Sequence, residues 1–188
     1  MNRMLGLAFA GWCLAAGAAH ALTQQELMAW LAAVPASESA FVETRHSSLL
    51  KAPLELTGRL VYRRPARLEK HVQSPYREST VIEDSRVTLT RDDGQASRTA
   101  SVPPGTAQAL VESLRATLAG DLAALERHFS VSLSGDERAW SLTLLPRDAS
   151  LSDFVKRVEI AGAGSKLRRV EVLEGSGDRT VTVLGDGR

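Results

Sequence analysis

Three histidines, His46, His71 and His128, are the side chains beyond position 21 that could act as general bases or metal ligands near neutral pH. They are far apart in the sequence and lack the paired spacing of a helical zinc motif. Nucleophile elbows, phosphate-binding loops and dinucleotide fingerprints are also absent from the sequence. Because triad residues meet in space rather than in sequence, the pattern disfavours an enzyme and leaves that class open.

The acidic side chains give no stronger signal for catalysis. Asp92-Asp93, Asp136-Glu137 and Asp153 fall in turn-like segments, which favours solvated loop charges over acid–base pairs. The GAGSK segment at 162–166 lacks the glycine spacing of a phosphate-binding loop and lies between two strand-like runs. We therefore expect no catalytic residue, no bound metal and no cofactor.

The first 21 residues have the features of a secretory signal peptide. Arg3 precedes an uncharged apolar run, and Ala19-His20-Ala21 offers a small-x-small cleavage site. The run at 5–18 is shorter than the roughly 20 residues that span a bilayer, so a retained membrane anchor is the weaker interpretation. We expect secretion into the periplasm and a mature chain that begins at Leu22.

The mature chain, 22–188, contains no cysteine, because Cys13 lies in the leader, where a preceding Trp12 does not suit lipobox processing. Disulfides and thiol catalysis are thereby excluded. Without Arg3, the Lys+Arg and Asp+Glu totals are both 22, so the basic excess of a nucleic-acid binder is missing. No long linker or internal repeat divides the chain, and we expect a single domain and a monomer.

An N-terminal amphipathic helix is predicted, followed by a run of short strands. Thr23 to Glu26 have the spacing of a capping box, and Pro35 ends the apolar helical pattern. From Phe41 the period changes to two, and LELTGRLVYR at 54–63 alternates as a half-buried strand. Strand-like runs recur at 41–49, 67–72, 77–83, 86–91 and 95–102, too close together for crossover helices, which indicates an antiparallel meander.

Pro103-Pro104-Gly105 ends this meander, and two helical patterns follow, one through Leu114 and Leu118 and a shorter one after Gly120. Five further alternating runs lie between residue 129 and residue 184. The predicted fold is mainly β with a helical lid (α+β): a curled antiparallel sheet of about ten strands, forming an unclosed half-barrel covered by the N-terminal helix and the inserted helices.

A curled sheet covered by helices leaves two interpretations of its concave face. The space between sheet and helices is either an apolar pocket with a movable lid or an ordinary filled core. A pocket would suit a fatty acyl chain, and periodicity alone does not separate the two cases.

The segment GRLVYRRPARLEKHVQSPYRESTVIED at 58–84 resembles a region of the LolA-type outer-membrane lipoprotein carriers. That region has Gly-x-Leu, a basic residue before Arg-Pro, an apolar strand, a proline turn and a second apolar strand ending in an Asp turn. The matching residues are Gly58, Leu60, Arg64, Pro65, Leu68, Pro75, Glu78, Val81, Ile82 and Asp84. The order of signal peptide, helices and C-terminal strands is also similar, so the resemblance covers nearly the whole mature chain.

The resemblance implies a periplasmic protein that takes an acylated lipoprotein, or another acyl lipid, from an inner-membrane transporter and passes it to an outer-membrane acceptor. It implies that Arg64 hydrogen-bonds backbone groups of the lid helices and holds the empty carrier closed, since a guanidinium offers five fixed donors. By alternation we expect the acyl-chain pocket to be lined by the following residues: Leu54, Leu56, Leu60, Tyr62, Leu68, Val72, Val81, Leu110 and Leu114.

Lys70 departs from the family pattern, because it occupies a position that is commonly aromatic. The strands otherwise offer mainly Leu and Val, and Asp84-Ser85 replaces the usual Asp-Gly. These departures weaken the case for triacylated lipoprotein as the cargo and favour a divergent member that carries a related lipid. The alternatives are a non-enzymatic lipid-sensing or scaffold protein of the same fold and, more remotely, a hydrolase of an acylated substrate.

Overall fold

The computed structural model describes residues 21–65, 67–83, 86–91, 98–101 and 106–185, without the side chains of 98–101 and 106–112. The predicted signal peptide and the turns at Asp84-Ser85, 92–94 and 103–105 lie outside the described residues, apart from Ala21. The helices are α1 Gln24–Ala32, α2 Thr106–Ala119, α3 Leu122–Glu126 and α4 Ala149–Ser152. The strands are β1 Ala36–His46, β2 Leu54–Arg63, β3 Arg67–Ser74, β4 Glu78–Glu83, β5 Arg86–Arg91, β6 Arg98–Ser101, β7 Phe129–Asp136, β8 Ala139–Pro146, β9 Val155–Ala163, β10 Lys166–Glu174 and β11 Arg179–Leu184.

Helix α1 begins at the predicted capping box. The Thr23 hydroxyl accepts a hydrogen bond from the Glu26 backbone at 3.2 Å, and the Glu26 carboxylate accepts one from the Thr23 backbone at 2.9 Å. The helix ends at Ala32, before Pro35, as predicted. Among the residues described, no helix combines the length and the apolar character needed to cross a bilayer.

The strands form one antiparallel sheet in the order β6-β5-β4-β3-β2-β1-β11-β10-β9-β8-β7. The first six strands form the predicted meander, and β1 then pairs with β11, so the two ends of the domain meet in the middle of the sheet. Strands β6 and β7 are its two edges. The prediction of an unclosed, mainly β fold with a helical lid is confirmed, and the described residues contain eleven strands in place of about ten.

Helices α1, α2 and α3 pack over one half of the concave face of this sheet. Leu27 and Leu31 of α1 and Leu125 of α3 pack with buried side chains of β8 and β9 in the largest apolar cluster. Trp140 lies in the same cluster and donates a hydrogen bond from its indole to the Gly164 carbonyl at 2.9 Å. Over β7 and β8 the concave face is therefore an ordinary filled core.

The β1–β4 half of the concave face is packed more sparsely. Its buried residues form two smaller clusters, one around Phe41 and Leu56 and another around Tyr62 and Leu68. Only Leu118, near the end of α2, contributes a buried helical residue to these two clusters within the part of the chain described. The helices are thus anchored on one side of the sheet and lie over the other side with less contact.

Gly58 allows the close packing of β1, β2 and β3, and its replacement tests this part of the fold. A Cβ at Gly58 would lie 1.9 Å from the His71 carbonyl oxygen, which belongs to the backbone and has little room to move. We expect Gly58→Ala to lower the free energy of unfolding by about 2–3 kcal/mol.

Gly185→Ala is the matched control, because its nearest neighbours would be atoms of Ala40 at 3.8 Å or more. We expect a change within about 0.5 kcal/mol for this variant. Urea unfolding followed by circular dichroism measures both. Equal stability of the two variants would show that the Gly58 backbone shifts to accept a side chain.

Candidate functional site

A cavity of about 590 Å³ lies between the concave face of the sheet and helices α1 and α2. Its volume is within the range of about 300–1,000 Å³ that is usual for small-molecule sites. The large apolar side chains that line it are Leu31, Val34, Phe41, Leu60, Tyr62, Ile82, Leu114, Leu118, Val158, Ile160, Leu167, Val170, Val172 and Leu184. The sheet therefore encloses both a filled core and a largely apolar cavity.

Three of the predicted pocket residues, Leu60, Tyr62 and Leu114, line this cavity. Leu56, Leu68 and Val72 lie on the same face of the sheet but are buried in the two smaller clusters, and Leu54 packs against one of these. These four are not among the residues that form the cavity wall. Leu110 lies in α2, and its side chain is outside the described residues.

The placement of Val81 in the pocket is wrong. The register pairs Leu68 with Ile82 and Glu69 with Val81, and Leu68 shares the concave face with Tyr62. Because alternate residues of a strand point to opposite faces, Val81 lies on the convex face and Ile82 lines the cavity instead. A choice that is off by one residue moves a side chain to the other side of the sheet.

Strands β9, β10 and β11 also contribute to the cavity wall, and no local signal in the sequence indicates this. Val158, Ile160, Val170 and Val172 alternate clearly in the sequence and were recognised only as parts of strands. Their place in the site depends on the pairing of β1 with β11, which brings the C-terminal strands beside Phe41. Periodicity contains no information about that long-range pairing.

Arg64 contacts the end of helix α1 through its side chain and the segment between α1 and β1 through its backbone. Its guanidinium donates a hydrogen bond to the carbonyl oxygen of Ala32, the last residue of α1. Its backbone N–H donates to the Pro35 carbonyl at 3.0 Å. The last carbonyls of a helix lack partners within the helix and carry partial negative charge, so a guanidinium is well suited to this position.

Tyr62 places a polar group in the cavity wall. Its side chain is only 2% exposed, and its hydroxyl has no hydrogen-bond partner within the described residues. Burial raises the pKa of Tyr62, against the opposing positive charges of Arg64 and Arg115. A buried hydroxyl without a hydrogen-bond partner destabilises the folded state. An oxygen atom of a ligand would remove this cost by accepting a hydrogen bond from the hydroxyl.

An ion pair lies on the floor of the same cavity. Lys70 donates a hydrogen bond to Glu43, and both residues line the cavity. The Glu43 carboxylate, 3% exposed, also accepts hydrogen bonds from Arg45 at 2.8 Å and from the Thr182 hydroxyl at 3.0 Å. Burial acts to raise the pKa of Glu43, but the cations Lys70 and Arg45 outweigh it, and the pKa is lowered.

The side chains of Ser79, His71 and Glu69 form a chain of hydrogen bonds that superficially resembles a hydrolytic triad. His71 lies 3.1 Å from the Ser79 hydroxyl and 3.0 Å from the Glu69 carboxylate. This chain is on the convex face, opposite the cavity, because Lys70 between Glu69 and His71 points to the concave face. Ser79 lies within β4, where the N–H groups of the described backbone belong to the sheet rather than to an oxyanion hole.

The Glu69 carboxylate is held by several donors on this convex face. It accepts hydrogen bonds from Arg63 and Arg67 at 2.8 Å each, in addition to its contact with His71. The hydrogen bond from Arg67 is the main cause that lowers the pKa of Glu69 to about 2, against the effect of burial. The arrangement is an ion-pair network, and within the described residues no cluster of His, Cys, Asp or Glu could hold a metal ion.

An unclosed half-barrel with helices over an apolar cavity defines the class of lipid-binding carrier folds. The chain belongs to the family of LolA-like outer membrane lipoprotein carrier proteins, whose model matches residues 16–187. The resemblance stated from the sequence is thereby confirmed. The chain is 30% identical over 173 residues to an outer-membrane lipoprotein carrier protein of Methylibium petroleiphilum, covering 91% of this chain and 81% of that relative.

Two solved structures are also similar. One is a LolA superfamily protein from Nitrosomonas europaea, with 10% identity, a TM-score of 0.46 and coverage of 88% of this chain and 92% of that chain. The other is a chain of the MucA/MucB complex of Pseudomonas aeruginosa, with 15% identity, a TM-score of 0.47 and coverage of 87% of this chain and 56% of that chain.

The lowered pKa of Glu69 predicts a pH-dependent contribution to stability. Because the pKa in the folded state is about 2, below the ordinary value of 4.5, the ionised Glu69 stabilises the fold above about pH 4.5. That contribution is lost as the pH falls towards 2. The difference in unfolding free energy between the native protein and Glu69→Gln should therefore be constant at neutral pH and shrink below about pH 4.5.

Urea unfolding of both proteins at pH 7, 4 and 3 measures this difference. Glu55→Gln, on the adjacent strand β2, is a suitable control, because Glu55 is exposed and forms no ion pair among the described residues. A Glu69→Gln difference that is the same at pH 7 and pH 3 would contradict the assignment.

Proposed function

We propose that this protein is a non-enzymatic periplasmic carrier that binds the acyl chains of a lipoprotein or related lipid and shuttles it towards the outer membrane. The observation that carries the proposal is the apolar cavity of about 590 Å³ between the half-barrel and helices α1 and α2. Membership of the carrier family supports the same role. In this proposal, residues 1–21 are a cleaved signal peptide and residues 22–188 are a single, monomeric domain.

The apolar character of the cavity provides the driving force for binding. Each methylene that leaves water contributes about 0.8 kcal/mol, so one long acyl chain contributes on the order of 10 kcal/mol. No catalytic group is needed for this step. The donor would be an inner-membrane transporter and the recipient an outer-membrane acceptor, as in the family of carriers.

Release of the cargo requires a lid that opens, and we propose Arg64 as its latch. The guanidinium of Arg64 ties the end of α1 to the end of β2, on the side where the helices have little core beneath them. Breaking one hydrogen bond to a charged donor costs about 1.5–3 kcal/mol, which is small enough for reversible opening. The core around Leu27 and Trp140 would keep the helices attached while the other side opens.

Leu60 offers a direct test of the cavity. We expect Leu60→Glu to fold, because Leu60 of β2 is the register partner of Lys70 of β3, and the ammonium of Lys70 can form an ion pair with the new carboxylate. A charge in the apolar cavity should lower the affinity for a neutral apolar dye such as Nile red by at least about tenfold. Fluorescence titration of the purified protein measures the affinity, and circular dichroism confirms the fold.

Leu49→Glu is the matched control, because Leu49 is 90% exposed and is not part of the cavity wall. It should bind the dye as the native protein does. Organic extraction of the protein from the periplasm of its host, followed by mass spectrometry, identifies any natural cargo. The proposed function fails if the native protein shows neither saturable dye binding nor extractable lipid.

The latch predicts that Arg64 controls uptake and release more than fold stability. Arg64→Leu should open the lid more easily, so stopped-flow dye association and dissociation should both become faster, by roughly tenfold. Arg64→Lys should restore the rates only in part, because one ammonium cannot reproduce the planar fork of donors.

Arg63→Leu is the control, because Arg63 pairs with Glu69 on the convex face. Its rates should equal those of the native protein. Unchanged association and dissociation in a folded Arg64→Leu variant would refute the latch.

A further inference from the structure

The ammonium group of Lys70 is an unusual feature in a cavity proposed to hold acyl chains. It lies over the Phe41 ring, 5.2 Å from the ring centroid, and donates a hydrogen bond to Glu43. Within the described residues this hydrogen bond uses one of the three N–H donors of the lysine. Donors therefore remain for a further acceptor on the cavity side.

The charges around Lys70 do not cancel. Glu43 supplies one negative charge, and Lys70 and Arg45 each supply one positive charge to its two oxygens. The Thr182 hydroxyl donates a hydrogen bond to the same carboxylate. Glu43 therefore has hydrogen-bond donors other than Lys70, namely Arg45 and Thr182. The cluster has a surplus of one positive charge, and part of that surplus faces the cavity through Lys70.

The size of the cavity limits the number of chains. A methylene group occupies about as much volume as a water molecule, roughly 30 Å³, so 590 Å³ holds about 20 such groups. That volume matches one long acyl chain with its head. The Tyr62 hydroxyl in the same wall, which has no hydrogen-bond partner among the described residues, offers a second polar contact for the ligand.

We infer that the cavity selects a lipid with a single acyl chain and an anionic headgroup, a carboxylate or a phosphate, which pairs with Lys70. This inference rests on the proposed carrier function and narrows its cargo. Glu43 acts as a positioning residue, because it holds the ammonium over Phe41 and moderates its attraction for the ligand. Arg45 and Thr182 keep Glu43 ionised and in place.

Competition with Nile red tests this inference, because a neutral dye does not itself sense the charge of Lys70. The competitors are palmitate and its methyl ester at pH 8, together with palmitoyl lysophosphatidic acid. The native protein should bind palmitate or lysophosphatidic acid at least about tenfold more tightly than methyl palmitate, as expected for a hydrogen bond to a charged group. The tighter of the two anions identifies the head as carboxylate or phosphate.

Two variants should shift this preference in opposite directions. Lys70→Met should abolish the preference for the anion, so that palmitate and methyl palmitate bind with equal affinity. Glu43→Gln should increase the preference, because Lys70 then loses its competing carboxylate. Lys156→Met is the matched control, because Lys156 is an exposed lysine of β9 outside the cavity wall, and the preference should not change.

The results of these titrations distinguish a failure of the inference from a failure of the carrier function. Equal affinity of the native protein for the anions and the methyl ester, or a preference that survives in Lys70→Met, would overturn the inference while the carrier function stands. Failure of every ligand, including Nile red, would overturn the carrier function itself. If Lys70→Met does not fold, the double variant Lys70→Met with Glu43→Gln removes both charges together and should show no preference for the anion.

Discussion

The unequal attachment of the helices to the sheet is the constraint on which the rest of the structure depends. On the β7–β9 half, side chains such as Leu27, Leu125 and Trp140 fill the space between helix and strand. On the β1–β4 half, the described contacts of the helices include the hydrogen bond of Arg64 and the packing of Leu114 and Leu118. A uniformly packed interface would leave no cavity, and a uniformly sparse one would not hold the helices.

The same asymmetry explains how far the sequence could predict the structure. The fold class follows from local signals: the capping box at Thr23, the alternation of 54–63 and the prolines that separate short strands. The contact of Arg64 with α1 was expected from the family resemblance, since the position of Arg64 before Pro65 does not by itself indicate a contact with a helix. Local pattern and resemblance together therefore gave the architecture.

The cavity wall was harder to predict, for two physical reasons. Alternation fixes which residues share a face, but an error of one position at Val81 exchanges the two faces of the sheet. Alternation also cannot say which part of a face is covered by helices, so Leu56 and Val72 were placed in the pocket although they are buried in a packed cluster. Both questions are decided by tertiary packing.

The pairing of β1 with β11 has a consequence for how the domain folds. Glu43 is hydrogen-bonded to Thr182, 139 residues later in the chain, so the floor of the cavity contains some of the most non-local contacts of the fold. Contacts that close such long loops form slowly, because the entropy of loop closure must be lost first. The β1–β6 meander can form from neighbouring segments, whereas β1, one of the two end strands of that meander, keeps an unpaired edge until β11 pairs with it. During that interval the unpaired backbone edge of β1 is open to pairing with other chains, so the last step of folding is also the one that removes a route to aggregation.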